Sequence, residues 1–157
     1  MMRAHFALVF GVGLCLPAAA ADYPATTGQM TPAQMTTGNG EKNWISVDGV
    51  VRNGATFTFR EAHIDGNGWL VIHQIVDGKP VGEKYLGATY IPSGTSKGVA
   101  VNVGSYAPKT GEMFVVMLHR DVNENKVFDF VFVDPPHVLD KAVFEGSKMI
   151  ALTFAAP

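Results

Sequence analysis

The feature that most restricts the fold is the alternation of short apolar runs with turn residues after Trp44. Asn53-Gly54 and Asp65-Gly66-Asn67-Gly68 are two of these turns, and Gly, Asn and Asp favour tight reversals of the chain. No convincing amphipathic helix pattern occurs between them. The apolar runs are Trp44–Val51, Ala55–Arg60, Trp69–Val76, Lys84–Ile91, Lys97–Val103, Met113–Leu118, Val127–Val133 and Ser147–Ala155. The pattern predicts an all-β, antiparallel immunoglobulin-like β-sandwich of about eight strands, with a closed barrel as the alternative.

Three details of the pattern indicate how strands are placed. Trp69–Val76 is apolar at both alternating sets of positions, which predicts a central strand with both faces buried. Gly87 interrupts a later run and suggests a bulge. Between Met113 and Val133, two apolar runs flank the polar sequence DVNEN. This arrangement predicts a β-hairpin in which Phe128, Phe130 and Phe132 share one face.

Residues 1–21 predict a cleavable secretory signal peptide. Arg3 precedes an apolar run over residues 6–16, and the alanines at 18–21 are typical of a cleavage site. The apolar run is too short to span a bilayer as a helix, and an N-terminal membrane anchor is the alternative. We therefore expect a periplasmic or extracellular protein with no stable membrane insertion after cleavage.

The composition of the mature chain excludes several classes of protein. Cleavage would remove Cys15, the single cysteine, and Arg3, which changes the formal net charge from -2 to -3. A chain without cysteine forms no disulfides and no blue-copper centre, because that centre needs a thiolate. The absence of a basic stripe argues against nucleic acid and anionic membranes as partners. An unidentified protein partner is compatible with this composition.

Residues 22–42 predict a flexible leader, and residues 43–157 the single folded domain. The leader is rich in Thr, Gly, Pro and Gln, a composition that does not build a core. Met30 and Met35 could bind Cu(I) through their thioethers. No histidine lies near them in the sequence, so a plain linker is the favoured interpretation.

Several short pieces of sequence occur in a characteristic order. They are GWLVIH at 68–73, LG at 86–87, IPSG at 91–94, the run at 99–103, MLHRD at 117–121, FDF at 128–130 and DP at 134–135. Together they resemble a family of secreted prokaryotic β-sandwich domains of unknown function with the pattern GW-V-IH … ML-H-D-N … F-F … D-P. The resemblance covers Trp44 to Phe154 and implies an exported β-sandwich without an established activity. Family members usually have a glycine near the position of Lys126.

The polar loop within the expected hairpin has the spacing of a calcium-binding loop. Asp121, Asn123 and Asn125 stand at positions 1, 3 and 5 of such a loop. Val127 could offer its carbonyl oxygen at position 7, and Asp129 stands at position 9. The spacing makes these residues candidate ligands of Ca²⁺.

The same loop departs from the calcium motif at two positions. Lys126 replaces the glycine of position 6, and its cation would point into the loop. Phe132 replaces the bidentate glutamate of position 12. The favoured alternative is a polar turn in which the Asp and Asn side chains cap their own backbone.

Two histidines follow long apolar runs and form a second candidate site. His73 and His119 would lie at one rim of the sandwich if their strands are neighbours. Asp121 or Asp134 could then complete a zinc or copper(II) site of nitrogen and oxygen donors. The alternative is a pair of half-buried histidines that are satisfied by ordinary hydrogen bonds. Further candidate donors are His63 and His137.

No catalytic motif accompanies these residues. The chain contains neither G-x-S-x-G nor a glycine-rich phosphate loop with lysine, so we expect no enzyme. The sequence predicts an exported, non-enzymatic binding or structural module with a divalent metal (Zn, Cu or Ca) at the sandwich rim. The candidate ligands are His73, His119, Asp121, Asn123, Asn125 and Asp129. The alternative is an envelope or extracellular protein-interaction domain that binds neither metal nor small molecule.

Overall fold

A computed structural model of the chain describes residues 36–130 and 140–157. These two ranges form twelve strands and contain no helix, and therefore none that is long and apolar enough to cross a membrane. The strands are β1 (Thr36–Thr37), β2 (Trp44–Ile45), β3 (Val51–Asn53), β4 (Thr56–Ile64), β5 (Gly68–Val76), β6 (Lys79–Ile91), β7 (Gly94–Asn102), β8 (Met113–Asp121), β9 (Asp140–Ala142), β10 (Phe144–Glu145), β11 (Lys148–Met149) and β12 (Ala151–Ala155).

Some of the predictions fall on other parts of the chain. The expected signal peptide and most of the leader lie outside the described residues, as do the candidate donors Asp134 and His137. The end of the expected hairpin, residues 131–133, also lies outside them.

Two antiparallel sheets make up most of the domain. In the larger sheet the strands follow the order β12-β8-β5-β6, and β9 pairs with the end of β8. In the smaller sheet β4 lies between β7 on one side and β2 and β3 on the other. A third, minor sheet has the order β1-β11-β10, in which β1 runs parallel to β11. The predicted all-β class with antiparallel sheets is confirmed.

The main hydrophobic core lies between the two large sheets. Phe57 of β4 meets Phe114 of β8 and Phe154 of β12 at ring-centroid distances of 5.4 Å each. Phe59 and Leu70, one from each sheet, are completely buried in the same cluster. Burial of such side chains supplies the dominant favourable free energy of folding, and here it holds the two sheets face to face.

The central strands of the larger sheet are also buried on the face that points away from this core. In β5 every residue from Gly68 to His73 is buried, which confirms the predicted central strand. Val115 and Met117 of β8 form a smaller cluster with Ala151 on this outer face. Because these apolar side chains on the outer face are buried, another part of the chain must shield them from water. The candidate site lies between the sheet and that part of the chain.

The predicted hairpin over Met113–Val133 is wrong. The first strand forms as expected, but residues 122–130 contain no strand. Instead of entering a ladder, the backbone N–H of Asp129 donates to the side chain of Asp140 at 2.7 Å. β8 already has strand partners on both sides, namely β5 and the pair β9 and β12. No edge of β8 is therefore free for a hairpin partner.

The bulge suggested by Gly87 is present next to it. Ile72 is paired with Gly87 and His73 with Tyr85, so Leu86 is the extra residue. Gly87 is needed for a further reason, because a Cβ atom there would overlap the carbonyl oxygen of Asn102 in β7. Only a residue without a side chain permits this approach of the two strands.

We expect Gly87→Ala to destabilise the protein by about 1–3 kcal/mol, because the added methyl group forces β6 away from β7. Urea unfolding followed by circular dichroism measures this change. Ala100→Val, which adds carbon atoms at an exposed position of β7, is the control and should be nearly neutral. Equal stability of Gly87→Ala and the wild type would contradict the close approach.

Candidate functional site

The candidate site lies on the outer face of the larger sheet, above β5 and β8. Trp69 of β5 stands opposite His119 of β8, and His73 stands opposite Val115. The loop of residues 122–130 follows β8 and places aromatic rings against both histidines. The two histidines are therefore enclosed between the sheet and this loop.

The irregular part of β6 holds His73 in one tautomer. The register of β5 and β6 shifts again between His73 and Ile75, and the carbonyl oxygens of Val81 and Lys84 lie 3.2 and 3.1 Å from the His73 Nδ1 atom. Carbonyl oxygens only accept hydrogen bonds, so Nδ1 carries the proton and Nε2 has a lone pair. Nε2 is buried without a hydrogen-bond partner among the described residues. Burial lowers the pKa of His73, although the two carbonyls oppose this effect.

His119 is completely buried beside it. The two imidazole centroids are 5.7 Å apart, with 30° between the ring planes. Neither ring nitrogen of His119 has a hydrogen-bond partner in the described part of the chain. Burial, and to a lesser extent the neighbouring His73, lowers the pKa of His119 to about 3. Both imidazoles are therefore neutral at physiological pH, and the described residues offer no hydrogen-bond partner to three of their four nitrogens.

Phe128 and Phe130 cover the pair. Their rings are stacked at 6.0 Å and meet His119 edge-on at 5.4 and 4.8 Å. Phe128 also contacts Trp69 at 5.4 Å and Tyr85 at 4.8 Å. Phe128 and Phe130 therefore lie on the same side of the chain, but no strand carries them, and Phe132 lies outside the described residues.

Three carboxylates cluster beside the histidines. Asp121 and Asp140 stand directly opposite each other on β8 and β9, and Asp129 reaches them from the loop. One oxygen of each is buried without a hydrogen-bond partner among the described residues. The ion pairs of the described chain, Arg60–Glu61 and Arg120–Asp65, place no cation on them. Burial, a side-chain hydrogen bond with Asp129 and the charges of Asp129 and Asp121 raise the pKa of Asp140 to about 7, against the effect of the Asp129 backbone N–H.

The loop is held by hydrogen bonds from side chains to backbone, as the polar-turn interpretation predicts. The N–H groups of Lys126 and Val127 donate to Asp121 Oδ2 at 3.0 Å and to Asn125 Oδ1 at 2.7 Å. The amide nitrogens of Asn123 and Asn125 point at Asp129 Oδ2, at 3.4 and 3.2 Å. The predicted loop residues therefore do come together around the carboxylates.

The expectation that Lys126 directs its cation into the loop is wrong. Its Nζ lies 5.5 Å from the ring centroid of Tyr90, where it makes a cation–π contact. Its backbone has φ of 57°, the left-handed conformation that the motif glycine would adopt. The loop thus keeps the conformation expected of the glycine, and the lysine charge lies outside it.

The predicted residues do not form one three-ligand centre. No group of three or more His, Cys, Asp or Glu side chains is placed to hold a metal ion within residues 36–130 and 140–157. His73, His119 and Asp121 are therefore not arranged as the expected zinc or copper(II) site. The histidine pair and the carboxylate cluster are instead two adjacent features.

The remaining histidine of the described residues lies on the other sheet. His63 belongs to the smaller sheet, where it is stacked on Trp44 at 5.8 Å and hydrogen-bonded to Thr95 at 2.7 Å. It therefore contributes nothing to the outer face of the larger sheet.

Sequence reasoning missed Asp140 and the contact of Tyr85 with the loop. Asp140 reaches the site only because β9 pairs with the end of β8. Nothing in the spacing of Asp140 from Asp121 indicates this pairing. Tyr85 follows Lys84, whose carbonyl oxygen contacts His73. The bulge at Leu86 is what pairs Tyr85 with His73, and the sequence does not give this register.

The fold and the site together define an all-β domain with an enclosed histidine pair beside a carboxylate cluster. A family model described as a domain of unknown function (DUF7282) matches residues 43–151, and the chain belongs to this family. The predicted resemblance to an uncharacterised domain family is confirmed to that extent. No curated protein and no solved structure matches the chain.

The raised pKa of Asp140 predicts a pH-dependent stability. The folded pKa of Asp140 lies above the ordinary value of 3.8, so at this group the folded state binds more protons than the unfolded state between about pH 4 and 7. Without added metal, the contribution of Asp140 to the free energy of unfolding should fall as the pH rises through this range, whereas the lowered pKa of His119 gives the opposite dependence up to about pH 6.5. Removing the Asp140 contribution should therefore make Asp140→Asn more stable relative to the wild type at pH 8 than at pH 5.

Urea unfolding in chelator at pH 5 and pH 8 measures the difference. The exposed Asp48 provides the control variant Asp48→Asn, which should keep the wild-type dependence on pH. If Asp140→Asn also keeps it, the carboxylate cluster is not the source.

Proposed function

We propose that the protein is an exported, non-enzymatic binding or structural module that binds a divalent cation of the calcium type at residues 121–129 and Asp140. The supporting observation is that three neighbouring carboxylates each bury one oxygen that receives no hydrogen bond from residues 36–130 or 140–157. Buried charge without a partner costs free energy. A cation between the carboxylates removes this cost and neutralises their mutual repulsion, once the side chains move from their present positions, which do not place three acidic ligands around one ion.

The donor atoms favour Ca²⁺ over zinc and copper. Carboxylates, amide oxygens and a backbone carbonyl are hard oxygen ligands, of which Ca²⁺ takes six to eight. Rotation of the Asn123 and Asn125 amides exchanges nitrogen for oxygen at the positions that face Asp129. Residues 122–130 belong to no strand, so this adjustment breaks no ladder. Ion uptake thus includes a local rearrangement of the loop from its hydrogen-bonded form.

A second candidate function is a protein-interaction domain without a ligand. The observation in its favour is the absence of a three-ligand arrangement among the described residues. In this case Asp121 and Asp140 serve to accept the backbone N–H groups of Lys126 and Asp129. The carboxylate cluster then only fixes the loop over the outer face.

Export rests on residues 1–21, which have the apolar run and the small residues of a signal peptide. We expect the protein collected from outside the cytoplasm to begin at Ala21 or Asp22. Intact-mass measurement determines this terminus. A chain that retains residues 1–21 would contradict cleavage and would favour the N-terminal anchor.

Calcium binding is tested by thermal unfolding of residues 22–157 in chelator and then in excess Ca²⁺. Ca²⁺ at 100 times its Kd should stabilise the chain by about 2.7 kcal/mol, which raises Tm by several degrees at this size. Mg²⁺ should act more weakly, because it dehydrates reluctantly and demands octahedral geometry. The shift should be lost in Asp121→Asn and in Asp129→Asn.

Glu124→Gln is the matched control. Glu124 belongs to the same loop and is exposed, so its loss of one negative charge should leave the calcium shift unchanged. A shift that survives in both aspartate variants would place the ion elsewhere. No shift in the wild type would leave the interaction domain as the function.

A further inference from the structure

We propose that His73 and His119 form a second site, a buried two-coordinate site for Cu(I) that the loop of residues 122–130 covers. This inference is independent of the calcium proposal, because it uses different donor atoms. It starts from the three imidazole nitrogens that are buried without a partner among the described residues. Buried polar atoms are nearly always satisfied in folded proteins, so this group requires an occupant or a special reason.

His73 is prepared as a metal ligand by its surroundings. Its Nδ1–H points at the carbonyl oxygens of Val81 and Lys84, which leaves the Nε2 lone pair free. A metal-binding histidine almost always donates its other N–H to such an acceptor, and this bond fixes its tautomer and orientation. The irregular segment of β6 thus supplies the outer hydrogen bonds of a ligand.

His119 supplies the second donor. No polar group of the described residues fixes its tautomer, so either nitrogen can present the lone pair. With metal–nitrogen distances of about 2 Å, two imidazoles on opposite sides of one ion have centroids roughly 6 Å apart. The observed separation of 5.7 Å is close to this value. The rings are stacked with 30° between their planes, so each ring must turn until one of its nitrogens faces the ion.

The number of donors selects the ion. Zinc in proteins takes at least three protein ligands, and copper(II) prefers a square-planar or tetragonal set of nitrogen and oxygen donors. The described residues offer no such group of three. Cu(I), a closed-shell monovalent ion, is stable with two nitrogen donors in a line. Its single charge is also less costly to bury than a double charge.

The enclosure suits the same ion. Phe128 and Phe130 lie edge-on to His119, and Phe130 also meets His73 edge-on at 6.5 Å. Phenylalanine rings supply none of the additional nitrogen or oxygen donors that copper(II) needs. The alternative occupant is a buried water bridging the imidazoles, which needs two to four polar partners.

The test is anaerobic titration of residues 22–157 with Cu(I) in competition with a chromophoric Cu(I) chelator. We expect one Cu(I) per chain. Removing an outer hydrogen-bond partner of a metal ligand weakens metal binding by at least about tenfold. His73→Gln and His119→Gln each remove a ligand itself, so each should weaken Cu(I) binding by more than about tenfold. His63→Gln, on the other sheet, is the matched control and should bind as the wild type does.

Two further measurements distinguish the histidine pair from the methionines of the leader and identify the ligand atoms. Met30→Leu with Met35→Leu should leave Cu(I) binding unchanged, and a loss there would assign the ion to the leader and overturn the proposal. X-ray absorption of the copper-loaded wild type should show two nitrogen ligands and no sulfur. This spectrum does not depend on the folding of any variant.

Three results would contradict the Cu(I) site at His73 and His119. A sulfur ligand in the spectrum, or no Cu(I) bound by the wild type, would overturn the two-histidine site. Undiminished binding in both histidine variants, with circular dichroism showing that they fold, would do the same.

Discussion

The structure depends on the burial of both faces of β5 and β8. One face is covered by the second sheet, and the phenylalanines between the two sheets form the core there. The other face is covered in part by the loop of residues 122–130, which has no strand ladder to hold it. Side-chain acceptors such as Asp121, Asn125 and Asp140 take over that task. The polar residues of the loop are therefore what fixes the aromatic cover over the histidines.

A single physical cause gives the two parts of the site opposite chemistry. Burial disfavours the charged form of any group, so it lowers the pKa of His119 to about 3 and raises that of Asp140 to about 7. The histidines become neutral donors with free lone pairs in an aromatic enclosure. The carboxylates are oxygen donors without a described cation, and burial together with their neighbouring charges keeps a proton on Asp140 up to about pH 7. Soft and hard metal ions would thus be separated within one face of the sheet by donor type alone.

The features that the sequence predicted depend on residues close together along the chain, whereas the features that it missed depend on contacts between distant residues. The strand pattern, the buried β5 and the bulge near Gly87 follow from local periodicity and turn chemistry, and they are present. The second half of the hairpin was wrong because alternation at Phe128 and Phe130 resembles a strand whether or not a neighbour is available. Asp140 was missed because its role comes from pairing across 19 residues of chain. Lys126 was misjudged because its contact with Tyr90 depends on the tertiary fold.

The sequence by itself determined the all-β class, the strand-length runs and the set of His, Asp and Asn residues that stand near one another along the chain. These properties depend on period-two alternation and on turn residues, both of which act over a few positions. Only the tertiary structure decided that the histidines form a pair without Asp121, that Asp140 joins the carboxylates, and that the loop covers a sheet instead of extending it. Those outcomes depend on which strand edges are already occupied and on which polar atoms burial leaves without a partner. Neither quantity exists until the sheets have assembled.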